Sequence, residues 1–215
     1  MSFDNNQALS EARQKLEQLI QALKAGHQQD NLLPALEGVA AQLTSLSRHD
    51  HLTGALNRRA LLAALDTELA RSYRTGHTFT LAVVSIDQLD RTLEQFGQAV
   101  AKARLQQFSG EVLQILRTLD SFGRVAANEF AIVMPSTWLE SAHKAVRRLK
   151  NHLAGCDWQA AGSLSFSTGL TANAHKDTAE SMLQRACQAL QLARQKGDDQ
   201  VAEIEAPLPD YDPNA

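Results

Sequence analysis

The stretch Gly123-Arg124-Val125-Ala126-Ala127-Asn128-Glu129-Phe130-Ala131-Ile132-Val133-Met134-Pro135 limits the fold more than any other. It reads as a tight β-hairpin. A short strand enters, a turn falls near Ala126-Ala127-Asn128, and a β-branched run leaves through Ile132 and Val133. A hairpin needs further strands or a helix layer to cover it. The flanking sequence supplies both. Helical patterns run over 60–73, 100–119, 141–153 and 178–195, with Leu105, Phe108, Val112, Leu116 and Leu119 along one side of the second. Strand patterns run over 78–86 and 163–170, and 201–204 adds an edge strand. Gly197 closes the last helix. Alternating helices and strands around a hairpin predict an α+β fold, an antiparallel sheet with helices packed on it.

Two seams precede this core. Leu9, Ala12, Leu16, Leu19 and Leu23 fall at spacings of three and four, and Leu36, Val39, Leu43 and Leu46 repeat the pattern after Pro34. Residues 1–47 are therefore expected to form two amphipathic helices, either a hairpin on their own domain or a pairing surface for a homodimer or partner protein. Residues 48–204 form the main domain, and 205–215, rich in Pro and Asp, are expected to be disordered.

Composition removes several function classes. A net charge of -3 argues against nucleic-acid binding by bulk electrostatics. No apolar run approaches the ~20 residues of a membrane span. With Cys156 and Cys187 alone there is no disulfide framework, and a reducing cytoplasm is the expected location.

The segment Asp50-His51-Leu52-Thr53-Gly54-Ala55-Leu56-Asn57-Arg58-Arg59 has a local reading. Asp50 caps a turn, Asn57 caps the next helix, and Arg58 or Arg59 is placed to pair with Asp50. His49 and His51 read as surface residues, because no further Cys or His stands at ligand spacing.

Two motifs together resemble the GGDEF domain of diguanylate cyclases. The segment from Asp50 is similar to that family's D-x-L-T-G-L-x-N-R-R, and Arg124 to Pro135 is similar to R-x-G-G-D-E-F…P. The resemblance covers about residues 48–204. It implies the palm-like, ferredoxin-type core of nucleotidyl cyclases and a reaction joining two GTP molecules with the help of divalent metal.

The same resemblance implies that the chemistry has been lost. The first metal aspartate of the family is Ser85 here, and the second metal carboxylate is Asn128. A hydroxyl and an amide bring no charge to a magnesium ion. Asp87 and Glu129 survive as the only rescue. Ala126 and Ala127 replace the glycines of the phosphate turn, adding a Cβ where the backbone would approach phosphate. The guanine-reading asparagine and aspartate correspond to Leu93 and Lys102, and a leucine makes no hydrogen bond. Asp90 and Asp198 reverse phosphate-facing charges, while Arg194 keeps one. No catalytic residue, no metal and no cofactor are expected, with Mg²⁺ relevant only if residual cyclase activity exists.

One motif of the family survives. Arg117-Thr118-Leu119-Asp120, placed at the end of the long helix, matches R-x-x-D, the inhibitory site that binds cyclic di-GMP. An arginine fork suits guanine O6 and N7, and a carboxylate accepts the N–H groups of the base. Arg147 and Arg148 on the following helix add an arginine, with Arg148 at the better spacing. The expectation is a catalytically inactive regulatory module that binds cyclic di-GMP. The alternatives are a nucleotide-independent dimerising or docking scaffold, and a cyclase with residual activity.

Overall fold

The computed structural model describes residues 14–18, 20, 21, 34–36, 38, 39, 48–158 and 162–205. The chain divides into two units between Arg48 and His49. In the first, residues 14–18, 20, 21, 34–36, 38 and 39 are helical. Most seam leucines, and the tail from 206, lie outside the described residues.

The second unit runs α1 (Arg58–Thr75), β1 (Thr80–Ile86), α2 (Leu89–Ile115), β2 (Ser121–Arg124), β3 (Glu129–Met134), α3 (Leu139–Ala154), β4 (Phe166–Ala172), α4 (Ala179–Gln195) and β5 (Val201–Glu203). The strand order is β2-β3-β1-β4-β5. Strands β1 to β4 form two interlocked split β-α-β units, each with the other's first strand between its own two. All their pairings are antiparallel, but β5 runs parallel to β4 after the crossover through α4. The sheet is therefore mixed, an antiparallel core of four strands with a parallel fifth at this edge. A strand returning through a helix to its neighbour must run parallel.

Both faces of the sheet are covered. Even-numbered positions of β1, Ala82, Val84 and Ile86, pack with Phe130 and Ile132 of β3 against Leu105, Phe108 and Val112 of α2 and Val146, Leu149 and Leu153 of α3. Odd positions Leu81 and Val83 pack with Ala131 and Val133 against Leu61, Leu65 and Leu69 of α1 and Met182, Leu183, Ala186 and Leu190 of α4. This explains why β1 reads as a continuous apolar run: both of its sides are core. Side chains alternate between faces with period two, so residues 85 and 129 belong to the α1–α4 side.

Two helix boundaries differ from the sequence reading. α2 begins at Leu89 and not near 100, because Gly97 takes φ 80°, ψ 174° and kinks a helix that continues on both sides. Its apolar pattern is legible only after the kink. α2 also ends at Ile115, where Leu116 turns extended. Leu119 is consequently 74% exposed and not part of the apolar side.

Candidate functional site

The opening segment is stitched to the hairpin. Asp50 Oδ1 accepts from the backbone N–H (3.0 Å) and hydroxyl (2.7 Å) of Thr53, and Asn57 Oδ1 accepts from the Ala60 N–H at 2.9 Å, capping α1. The expected partners of Asp50 are corrected. Its ion pair is with Arg124, at 3.2 Å, while Arg58 pairs with Glu180 on α4. Leu56 bridges Gly123, donating its N–H to Phe122 O and accepting from Arg124 N, which covers the outer edge of β2. Arg124 also donates to Ala127 O inside the turn. One guanidinium thus braces the hairpin tip against the start of the domain. Burial alone would raise the Asp50 carboxyl, but the Thr53 hydrogen bonds and the Arg124 charge more than offset it and hold it below the ordinary carboxylate range.

At the hairpin tip the two positions expected to have lost metal carboxylates lie together. Asn128 Nδ2 donates to Ser85 Oγ at 3.3 Å. Glu129 is directly across the ladder from Ser85. Asp87 does not share their site. β1 ends at Ile86, and Asp87 turns inward, 9% exposed. Its Oδ1 accepts from Ser167 Oγ and its Oδ2 from Asp199 N, both at 2.8 Å. That carboxylate ties β4 to the α4–β5 loop, so it is spent on structure. Magnesium on a nucleotide is held by one or two carboxylates together with the phosphates. A hydroxyl and an amide already bonded to each other bring no charge to that ion, and with Asp87 turned away Glu129 is the carboxylate left beside them.

The turn itself is built without glycine geometry. Neither Ala126, Ala127 nor Asn128 has positive φ. The amides of Val125 and Ala126 both point at Glu129 O, at 2.9 and 3.2 Å. Two N–H groups of the tip are therefore engaged within the hairpin. Leu93 is 45% exposed on α2 and Lys102 is exposed two turns further on. Asp198 accepts from Gln88 at the start of α2.

The R-x-x-D segment occupies the turn after α2, a correction to its placement on the helix itself. Asp120 Oδ2 accepts from the Arg117 backbone N–H at 3.0 Å, and Asp120 N donates to Arg117 O at 3.0 Å. This reciprocal pair closes the turn and brings both side chains to one surface. Arg148 reaches the same surface from α3, with Nη2 3.5 Å from Ile115 O. Arg117, Asp120 and Arg148 rim a shallow depression of about 30 Å³ floored by Leu116, Ile132, Met134, Val146 and Leu149. Burial raises the Asp120 carboxyl above its ordinary value, opposed by the Arg117 N–H and the charges of Arg117 and Arg148. Arg147 does not join them. Consecutive helix residues point about 100° apart, and Arg147 faces a separate groove with Glu140, His143 and Lys150.

These observations describe a split β-α-β palm whose opening segment is braced to its hairpin, and comparison with known proteins agrees on the fold. The profile described as "Diguanylate cyclase, GGDEF domain" matches residues 47–200. The chain belongs to the GGDEF domain family. Among curated relatives, it is 35% identical over 155 residues to diguanylate cyclase DgcP of Pseudomonas aeruginosa, covering 71% of this chain and 23% of that protein. It is 28% identical over 158 residues to the response regulator PleD of Caulobacter vibrioides, covering 71% and 35%. The chain thus matches about a quarter to a third of the length of these relatives. Among solved structures, diguanylate cyclase SiaD of Pseudomonas aeruginosa, in complex with its activator SiaC, superposes with TM-score 0.69 at 26% identity, covering 95% of this chain and 79% of SiaD. The GGDEF domain of DgcB from Caulobacter crescentus, in complex with c-di-GMP, shares the fold with TM-score 0.68 at 20% identity, covering 73% and 92%.

Sequence reasoning missed the Asp50–Arg124 brace and the inward commitment of Asp87. The two ends of the brace lie 74 residues apart, and no local pattern pairs them. The Asp87 contacts, to residues 80 and 112 positions away, have the same character.

Proposed function

We propose that this GGDEF domain is catalytically retired and serves as a regulatory module that binds cyclic di-GMP on the surface of Arg117, Asp120 and Arg148. The observation that carries the reading is a contrast within one domain. The hairpin tip has a hydroxyl and an amide bonded to each other where the chemistry needs carboxylates. The R-x-x-D turn keeps two guanidinium groups and a carboxylate on one rim. A guanine edge meets the arginine fork and the carboxylate, and its face rests on the apolar floor. The depression is too small to swallow a base, so the ligand lies across it.

Isothermal titration calorimetry of the whole chain with cyclic di-GMP tests this. Binding is expected in wild type, with a loss of about 10- to 100-fold in Arg117→Ala, the equivalent of one bidentate base contact at about 1–3 kcal/mol. Arg148→Ala weakens binding, and Arg147→Ala leaves it unchanged. Absence of heat, or equal affinity in Arg117→Ala, refutes the receptor. Incubation with GTP and Mg²⁺ or Mn²⁺ is expected to yield no cyclic product, and product formation would restore the cyclase reading.

A second reading is a docking or dimerising scaffold that works through residues 1–47. Its support is that the likeness to SiaD, solved with a protein partner, extends over 95% of this chain. Light scattering on the full chain and on a deletion of residues 1–46 tests its dimerising form: a dimer that becomes monomeric favours it, and a monomer in both removes it.

A further inference from the structure

We propose that Glu111, His152 and Cys156 form a site for a borderline-soft divalent cation, zinc in the first instance, between α2 and the end of α3. One ligand atom from each lies within 4.8 Å of the others. His152 Nε2 is 2.8 Å from Glu111 Oε2, and Cys156 Sγ is 3.4 Å from His152 O. A tetrahedral zinc, with bonds of about 2.0–2.3 Å, spaces its ligand atoms roughly 3.3–3.6 Å apart. Side-chain shifts of the order of an ångström therefore complete the triad.

The scaffold suits the task. His152 is in the last turn of α3, and Cys156 follows one turn later, just past the Gly155 cap. Residues four apart on a helix come to the same side. Glu111 faces them from α2, next to Val112, which is fully buried in the core that also holds Leu149 and Leu153 of α3. All three ligands are half-buried, so the cation would be partly screened from water yet reachable. The donor set is one sulfur, one imidazole nitrogen and one carboxylate oxygen. Calcium and magnesium prefer oxygen alone, whereas zinc takes this mixture, with its fourth position left to water. A thiolate and a carboxylate also balance the charge of a divalent ion.

Without metal, burial and the Glu111 carboxylate push the Cys156 thiol up, so it holds its proton. On binding, that proton leaves to solvent as the sulfur–metal bond forms, and the proton between His152 Nε2 and Glu111 Oε2 passes by way of solvent to Nδ1, so that the free Nε2 lone pair and the carboxylate each bond the metal. Cys187 belongs to no such cluster of ligand atoms among the described residues. The site stands apart from the cyclic di-GMP reading, although it pins the same helix pair one turn from the contact of Arg148 with Ile115 O.

Cobalt(II) titration of the full chain, freed of metal by chelator, tests the proposal. One equivalent is expected to produce a thiolate-to-cobalt charge-transfer band and the visible bands of a tetrahedral ion, erased by zinc. The band is expected to vanish in Cys156→Ser and His152→Ala, both checked for folding by circular dichroism, and to persist in Cys187→Ser. No band in wild type, or one that survives Cys156→Ser, overturns the site. Thermal melts give a second readout: zinc raises the Tm of wild type and not that of Cys156→Ser, and equal shifts in both overturn the site as well.

Discussion

Asp50 and Arg124 show how much one side-chain pair can carry. Each is largely covered, with 17% and 16% of its side chain exposed, so removing one strands a partly desolvated charge. Arg124→Ala is expected to cost about 1–3 kcal/mol in urea denaturation, and Arg124→Ala with Asp50→Asn less than the sum of the two singles, the mark of a direct interaction. The folded Asp50 carboxyl lies below its unfolded value. Its contribution is therefore complete above the ordinary carboxylate range and disappears as pH falls through the folded value. Asp120 has the opposite sign. Its carboxyl is raised by burial, and it must be ionised to accept a guanine N–H. Cyclic di-GMP affinity is expected to fall on acidification at a pH above that at which an exposed carboxylate protonates, and Asp120→Asn is expected to flatten the profile. A profile unchanged by Asp120→Asn would take the carboxylate out of recognition. At this scale the sequence was legible where contacts are local. The Asn57 cap and the Asp50–Thr53 turn both span three residues, whereas the Arg124 partner required the folded chain.

Elements were legible where their periodicity is clean and obscured where backbone geometry intervenes. α1, α3 and α4 match their apolar patterns within about two residues, and α4 opens with a capping box between Thr178 and Ser181. α2 was half-read, because Gly97 interrupts it and the turn before it depends on Gln88 in the left-handed region. The packing of β4 on α4 makes the sharpest prediction for an element. A Cβ on Gly169 would stand 2.1 Å from Leu190 N and 2.3 Å from Ala186 O, both helix backbone. No rotamer change relieves a backbone clash, so Gly169→Ala is expected to destabilise by about 3 kcal/mol or more, read as a lowered urea midpoint. Gly110→Ala, which meets nothing within 4 Å, is the control and is expected to be neutral or stabilising.

For the molecule as a whole, the site follows from where the sheet ends. The β1 end and the hairpin tip meet, and the pair Ser85–Asn128 fills the corner. Restoring both carboxylates with Ser85→Asp and Asn128→Asp is expected to lower Tm in the absence of metal, because like charges are forced together at a buried position. Mg²⁺ or Mn²⁺ is expected to recover that loss, without turnover, since Leu93 makes no hydrogen bond and Lys102 accepts none from the guanine N–H groups. A metal-independent Tm in the double variant would mean that the two positions do not share a site. The sequence by itself determined the hairpin, the apolar periods that mark most of the helices and strands, and the two motifs that place the chain among GGDEF domains. These are short-range patterns, and each is dictated by chain geometry within a few residues. Only the tertiary structure decided where the charges go: Asp50 to Arg124, Asp87 to the Ser167 hydroxyl of β4 and the Asp199 amide of the α4–β5 loop, Arg148 and not Arg147 to the R-x-x-D turn. Those pairings depend on how separate elements pack, and an ion pair leaves no periodic trace along the chain.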